Sequence, residues 1–316
     1  MRSTVLLRAC VAAFLGFASA AGAQDLSIVA PSPPGSSWDQ LAQALKSGLS
    51  DERGERQVRV VNLPGSGGTV GLAQFALEGD DDALLVTGLT MLNAIFLHRV
   101  PSGLAEMTPI ARLVADHFVL AVPAASPVRS VDDLRAAMAE DPGKVAWAGG
   151  PPGGIDHVAA IMLARLTDAD VARLVYVPFI TSAEAAAAAG ESKVSAVIVP
   201  WSEIAGEAKA GRVRLLGVAA MARVPGIDAP TLADSGVAMQ LSNWRGLLAR
   251  PGIAPEARAR LLRQLDALVG SPGWRELLER KGWQDAFLPP ERFGEFLRME
   301  EARVKRALGS AGLLKR

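Results

Sequence analysis

The sequence predicts an α/β chain of two units, and three observations carry that prediction. Short apolar runs of strand length alternate with helix-length segments along most of the 316 residues. Three strand-to-helix junctions are long and rich in glycine and proline: PSPPGSSWDQ at 31–40, LPGSGGTVG at 63–71 and GGPPGG at 149–154. Half of the residues are apolar, enough to build one large core or two ordinary ones.

Residues 1–23 read as an export signal. Arg2 and Arg8 form its basic end, Val11–Ala21 its apolar stretch, and Ala21-Gly22-Ala23 a small-residue cleavage site, so the mature chain is expected to begin near Gln24. The apolar stretch is shorter than the ~20 residues of a membrane span. The single cysteine, Cys10, leaves with the signal, and the mature chain then holds no disulfide.

The elements follow in order. Leu26–Ala30 is a strand and Trp38–Leu49 a helix. Val58–Val61 and Val70–Leu77 repeat the pair, as do Ala83–Thr87 and Met91–His98. Continuous apolar strands of this kind fit a parallel sheet buried on both faces. A second run begins with strand Phe118–Val122 and helix Ser130–Ala139, which Ser130 opens with Asp132 and Asp133 in its first turn. Strand Val145–Ala148, helix Asp156–Leu166 and strand Leu174–Val177 come next. Ala183–Ala189, six alanines in seven residues, is a helix by propensity. Strand Val194–Val199, helix Glu203–Ala210 and strand Val213–Ala219 complete the run. After Pro225 come strand Trp244–Ala249 and helices Pro255–Val269, Gly273–Lys281 and Pro290–Leu308. A tail of helices suits a chain that returns to close its first unit, so residues 24–120 with 226–316 are expected to form one domain and 121–225 the other. No repeat of solenoid period is present.

Several chemistries find no footing. Lys+Arg and Asp+Glu are equal at 33 each, and no basic run is interleaved with aromatics, so no nucleic acid is expected as a partner. Gly65 and Gly67 begin a dinucleotide fingerprint, but Val70 stands at its third glycine, and no glycine loop ends in the lysine of a phosphate loop. His98, His117 and His157 are scattered without ligand spacing, so no metal or cofactor is expected. Ser36, Ser37 and Ser66 lie outside any G-x-S-x-G elbow. His157 is the best acid–base candidate, but a lone histidine on a helix's first turn is more often structural.

The junctions themselves carry the positive chemistry. The first turn of a helix has backbone N–H groups without internal partners, and the helix dipole adds positive potential there. Glycine admits a ligand to the backbone, and serine and threonine add hydroxyls. A carboxylate fits such a site without arginine or metal. Glycine and proline also punctuate ordinary turns. That explains any one of these loops, but less well three loops that are each longer than a turn needs.

These motifs resemble the periplasmic substrate-binding receptors of tripartite tricarboxylate transporters, the Bug-type solute receptors. PPGSSWDQLAQAL at 33–45 is similar to the family's P-P-G-G-x-x-D opening, and Trp38-Asp39-Gln40 to its tricarboxylate-type branch. VVNLPGSGGTVGLAQFA resembles its N-x-P-G-x-G-G-x-x-G segment at Asn62, Pro64, Gly65, Gly67, Gly68 and Gly71. GGIDH at 153–157, VYVPF at 175–179, RVPGIDAPTL at 223–232 and NWRGLLARPGI at 243–253 continue the likeness through the chain. Three departures stand out. Ser36 replaces a common glycine. Ile155 replaces a frequent threonine, removing a hydroxyl and adding apolar surface. Thr181 and Ser182 replace flexible glycines.

The resemblance implies a two-domain periplasmic binding protein fold, type II-like, with a ligand cleft between domains that closes by a hinge. It implies capture of a small carboxylate, di- or tricarboxylate and citrate-like, by a periplasmic monomer that catalyses no reaction and delivers the ligand to a membrane permease. A sensor subunit presenting a carboxylate to a signalling receptor would share these features. A secreted hydrolase would need a nucleophile and base that the sequence lacks. The implied contacts from the first domain are Gly35, Ser36, Ser37, Trp38 and Asp39, then Gly65, Ser66, Gly67 and Gly68, then Thr87 and Thr90. The second domain would add Gly149, Gly150, Gly153, Gly154 and Asp156, then Thr181 and Ser182, then Trp201 and Ser202. Asp39 and Asp156, as early helical residues, suit capping or bracing better than contact with an anion. Arg245, the cation the motifs carry, suits either a carboxylate fork or a brace.

Overall fold

The computed structural model describes residues 25–50, 57–78, 80–101, 103–310 and 312–314. The predicted export signal, with Cys10, lies outside the described residues.

The first stretch runs β1 (Leu26–Ala30), α1 (Ser37–Leu49), β2 (Val58–Asn62), α2 (Thr69–Glu78), β3 (Ala83–Gly88), α3 (Leu89–His98) and β4 (Thr108–Ala115). The second runs β5 (Phe118–Pro123), α4 (Val131–Glu140), β6 (Ala146–Gly149), α5 (Ile155–Leu166), β7 (Val175–Pro178), α6 (Ser182–Gly190), β8 (Ala196–Pro200), α7 (Trp201–Lys209) and β9 (Val213–Val218). The chain closes with β10 (Arg245–Ala249), α8 (Pro255–Val269), α9 (Pro272–Lys281), β11 (Gln284–Leu288) and α10 (Pro290–Ser310).

Local chemistry explains most starts. The Ser36 hydroxyl accepts the Asp39 N–H at the head of α1. Ser130 and Asp133 form a reciprocal capping box at α4. The Thr181 hydroxyl accepts the Glu184 N–H at α6, whose buried Ala185, Ala186, Ala188 and Ala189 let it lie close to its sheet.

The strands form two sheets, ordered β11-β4-β10-β3-β1-β2 and β7-β6-β8-β5-β9. The sequence predicts parallel strands, and β1 does pair in parallel with β2 and β3, as β6 does with β7 and β8. The sheets as wholes are mixed, which corrects that expectation. β10 lies antiparallel between β3 and β4, β11 is antiparallel to β4, and β5 is antiparallel to β8 and β9. A strand that enters a sheet directly from the other sheet needs no crossover helix and can run against its neighbours.

Two strands are new relative to the sequence prediction. β4 carries Pro109 and Arg112, which break the apolar run; Pro109 sits near the strand start, where the register with β10 shifts. β11, QDAFL, is a half-buried edge strand with little hydropathy signal.

β5 belongs entirely to the second sheet, although the sequence expectation leaves residues up to 120 with the first unit. The crossings between sheets are hydrogen-bonded to one another. The Asn243 N–H donates to the Asp116 carbonyl at 2.8 Å, the Leu241 N–H to Ala219 at 3.1 Å, and the Trp201 N–H to His117 at 2.8 Å. Trp147, Trp244 and Trp274 are fully buried and anchor the packing around the sheets.

Candidate functional site

A cavity of about 830 Å³ is lined by residues that follow strands of both sheets. Its walls come from the loops after β1, β2, β6 and β7 and from α3, α6 and α7. These loops leave the carboxyl ends of parallel strands, where open α/β sheets bind ligands.

Of the predicted contacts, Ser36, Ser37, Trp38, Gly65, Ser66, Gly67, Gly68, Thr90, Gly150, Thr181 and Ser182 line this cavity. Proline and aromatic groups fill much of the remaining wall, including Pro64, Pro151 and Phe179.

Several predicted residues instead build the walls from behind. Asp39 is buried, and its carboxylate accepts the Gly35 N–H at 2.8 Å and the Asn62 Nδ2 at 3.0 Å. Asn62 also donates to the Ser32 carbonyl at 3.2 Å, so one carboxylate ties the first junction to the second. Gly35 supplies the turn at φ +81°. Thr87 is fully buried, with its hydroxyl on the Met91 sulfur at 3.4 Å, so it lies beneath the site rather than on its surface.

The third junction repeats this logic. Asp156 is buried and accepts the Gly150 N–H at 2.8 Å and the Ser182 hydroxyl at 2.6 Å, tying the loop after β6 to the head of α6. The Tyr176 hydroxyl donates to the Gly150 carbonyl at 2.8 Å. A Cβ on Gly149 would come within 2.5 Å of the Asp156 side chain, so its glycine keeps strand and helix close. The Gly153 N–H donates to His157 Nδ1 at 3.0 Å, and Gly154 precedes α5 as its cap. His157 is thus a loop brace; burial lowers its pKa and favours the neutral ring. Ile155 is buried in the core and adds no apolar surface to the cavity, which corrects the reading of that departure.

At the fourth wall the structure shifts the prediction by one residue. α7 begins at Trp201, earlier than expected, because the Trp201 N–H is held by the His117 carbonyl at the crossing. Trp201 then packs against the Gly282 turn, and the Ser202 N–H and hydroxyl both donate to Asp116. Glu203 is the residue on the cavity wall. The sequence carries no motif that singles it out.

Arg245 is fully buried and absent from the wall. Its guanidinium donates to the Ser37 carbonyl at 3.1 Å, lies 3.7 Å from the Asp116 carboxylate, and stacks 4.5 Å over the Trp283 ring. It braces the first jaw against the crossing. Asp116 thereby joins β10 to the head of α7, the one from the first sheet and the other from the second.

Burial sets the titration of these groups. It pushes Asp116 up to about 6, against the pull of Arg245 and Ser202. It likewise pushes Asp156 up to about 6, against its bonds from Ser182 and Gly150. Glu203 is raised to about 7, first by burial; Arg245 opposes the rise and Asp116 and Asp156 add to it. For Asp156 the folded pKa exceeds the unfolded value of about 3.9, so between these pH values the native state holds more protons. Its contribution to stability therefore falls as pH rises through that window. Asp156→Asn is expected to flatten the decline in Tm between pH 4 and 6.5, a change worth about 3 kcal/mol at most. An unaltered pH slope in the variant would exclude Asp156 as the titrating group.

Among the described residues no lysine or arginine lines the cavity, and no cluster of metal-ligating groups is found. The wall instead includes the heads of α1, α3 and α6 and the glycine loop before α2, where first-turn N–H groups and helix dipoles give positive potential. No helix among the described residues is long and apolar enough to cross a membrane.

Comparison with known proteins agrees with this architecture. The chain is 28% identical over 287 residues to a UPF0065 protein in the tcbD-tcbE intergenic region of Pseudomonas sp. strain P51, covering 89% of this chain and 84% of the relative. It is 26% identical over 282 residues to Protein BugT of Bordetella pertussis, covering 87% and 85%. Among solved structures, the periplasmic binding protein BugD superposes with a TM-score of 0.82 at 21% identity, covering 93% of this chain and 99% of that one. MatC from Rhodopseudomonas palustris, with bound malate, gives 0.80 at 22%, covering 90% and 99%. A second R. palustris protein, with adipate, gives 0.80 at 22%, covering 92% and 97%. The sequence profile of the tripartite tricarboxylate transporter family receptor (TctC) matches residues 41–313. The chain therefore belongs to the tripartite tricarboxylate transporter family of receptors.

Proposed function

We propose that this protein captures a small carboxylate in the cleft and delivers it to the membrane permease of a tripartite tricarboxylate transporter, without catalysing a reaction. The observation that carries the reading is the convergence of glycine and hydroxyl junctions on one cavity whose wall, among the described residues, holds no lysine or arginine. Such a wall draws an anion by N–H groups and dipoles, without burying a fixed cation. Malate in MatC and adipate in the second R. palustris protein support carboxylates as the ligand class. A di- or tricarboxylate is the narrower proposal, with citrate as its first candidate.

The two sheets would act as lobes, residues 24–115 with 243–316 and residues 118–241, closing about the crossings near Asp116. Closure would dry the cleft and strengthen its hydrogen bonds. The protein would act in the periplasm as a monomer after removal of residues 1–23. Mass spectrometry of a periplasmic fraction should find the mature N-terminus near Gln24; one at Met1 would exclude processing.

A thermal-shift screen of ligand-stripped protein against mono-, di- and tricarboxylates tests the function. A cognate carboxylate at 100 times its Kd stabilises by about 2.7 kcal/mol and raises Tm accordingly. A response only to sugars or to amines that lack a carboxylate would overturn the reading.

A further inference from the structure

Among the described residues, the ionisable side chains on the cavity wall are His98, Glu184 and Glu203. Two of them are accounted for. His98 is exposed near the end of α3, and Glu184 is exposed with its carboxylate accepting the Ile180 N–H at 3.2 Å. Glu203 differs. It is partly buried, and among the described residues it makes no hydrogen bond or ion pair.

Its surroundings do not neutralise it. Arg245 on β10 is committed to Ser37 and Asp116 and lies outside ion-pair reach of Glu203. The other charged groups that act on Glu203 are Asp116 at the crossing, Asp156 on α5 and Lys281 on α9. The neighbouring hydroxyls are spent: Ser202 donates to Asp116, and Ser182 to Asp156. The two sides of the cleft thus differ in polarity. The first-sheet side offers N–H donors at 65–67 and at the head of α1, while α7 offers an unmatched acceptor.

We propose that Glu203 is the specificity-determining residue of this cleft, and that its ligand is a carboxylic acid that also bears a hydrogen-bond donor, a hydroxyl or an ammonium. The ligand carboxylate meets the glycine and serine junctions, and its donor meets Glu203. This inference rests on the carboxylate-binding function proposed above and narrows the ligand class. An acid without a donor would bring a second anionic or apolar group against a carboxylate that has no other partner.

Succinate, malate and aspartate share one four-carbon frame and differ in carrying hydrogen, hydroxyl or ammonium. Propionate, lactate and alanine repeat the comparison with one carboxylate, and tricarballylate and citrate with three. Calorimetric titration of the mature protein with these sets is expected to show a hydroxyl- or ammonium-bearing member binding 10- to 100-fold more tightly than its hydrogen counterpart. Glu203→Ala should erase that gap while circular dichroism shows a folded protein. Glu203→Gln separates the sources. The amide oxygen still accepts from a hydroxyl, so a hydroxy acid keeps most of its affinity, whereas an ammonium ligand loses it. Affinity for an ammonium ligand should also fall below pH 7, as the raised Glu203 carboxylate takes up its proton.

Equal binding within every set, or a gap that survives in Glu203→Ala, would overturn the assignment while leaving carboxylate capture intact. No response to any carboxylate, with or without a donor, would overturn the function itself.

Discussion

Gly68→Val is expected to abolish ligand binding, lowering affinity more than 100-fold, and to cost about 2–5 kcal/mol of stability. Gly68 sits at φ +92°, a region that a β-branched residue enters only with strain. Space is also lacking. A Cβ here would stand 2.6 Å from the Trp38 ring and 3.1 Å from the Met91 methyl group. Trp38 is packed into the core on one side and lines the cavity on the other, so the ring can yield only into the cavity itself. The clash would move either the ring or the 65–68 backbone, and both form the wall. Gly226→Ala is the matched control. Its φ is +82°, yet nothing lies within 4 Å of the added Cβ. It should cost only backbone strain, about 1–2 kcal/mol, and leave affinity unchanged. Chemical denaturation and calorimetry on both variants give the comparison. Normal affinity in folded Gly68→Val would mean that the second junction does not hold the ligand.

Arg245→Ala should chiefly destabilise, by about 3–5 kcal/mol at pH 7. The loss is large because both members of the Arg245–Asp116 pair are fully buried. Removing the guanidinium leaves Asp116 with no counter-charge and the Ser37 carbonyl without its donor. The sign of the pH effect follows. Asp116 already titrates near 6, above its unfolded value, and loss of Arg245 raises it further. The variant's native state then holds its extra proton to higher pH, so its deficit should shrink on acidification and grow through neutrality. Replacing both partners, Arg245→Met with Asp116→Asn, should recover part of the loss, since no uncompensated charge is left buried. A stable Arg245→Ala that had lost all affinity would show that the arginine touches ligand after all.

These two positions mark how far the primary structure can be read. Gly68 is legible, because a glycine run between an apolar strand and a helix has a local meaning: positive φ, close approach and free N–H groups. The alternation of elements, the cap at Ser130, and three of the cavity's jaws are local in the same way. Each depends on hydropathy period or side-chain-to-backbone bonding within a few residues. β4 and β11 escape such reading, since proline, arginine and edge exposure blur the strand signal and only their neighbours in the sheet define them.

Within each junction, the residue types suit the proposed carboxylate site, but do not show which members face it. Asp39 and Asp156 stand among the implied contacts, yet as early helical residues they suit bracing better, and in the fold each carboxylate is consumed by an N–H of its own junction and a side-chain donor of another. Glu203 has the opposite history. It belongs to no motif, and it reaches the wall because Asp116 and His117 fix where α7 starts. The sequence alone therefore determined the α/β alternation, the glycine junctions and the family to which they point. Tertiary structure decided the mixed direction of the sheets, the Arg245–Asp116–Ser202 link between them, and the polarity of the cleft. Pairings of that kind join segments far apart in the chain, and a side chain's charge acquires its role from partners that only folding brings within reach.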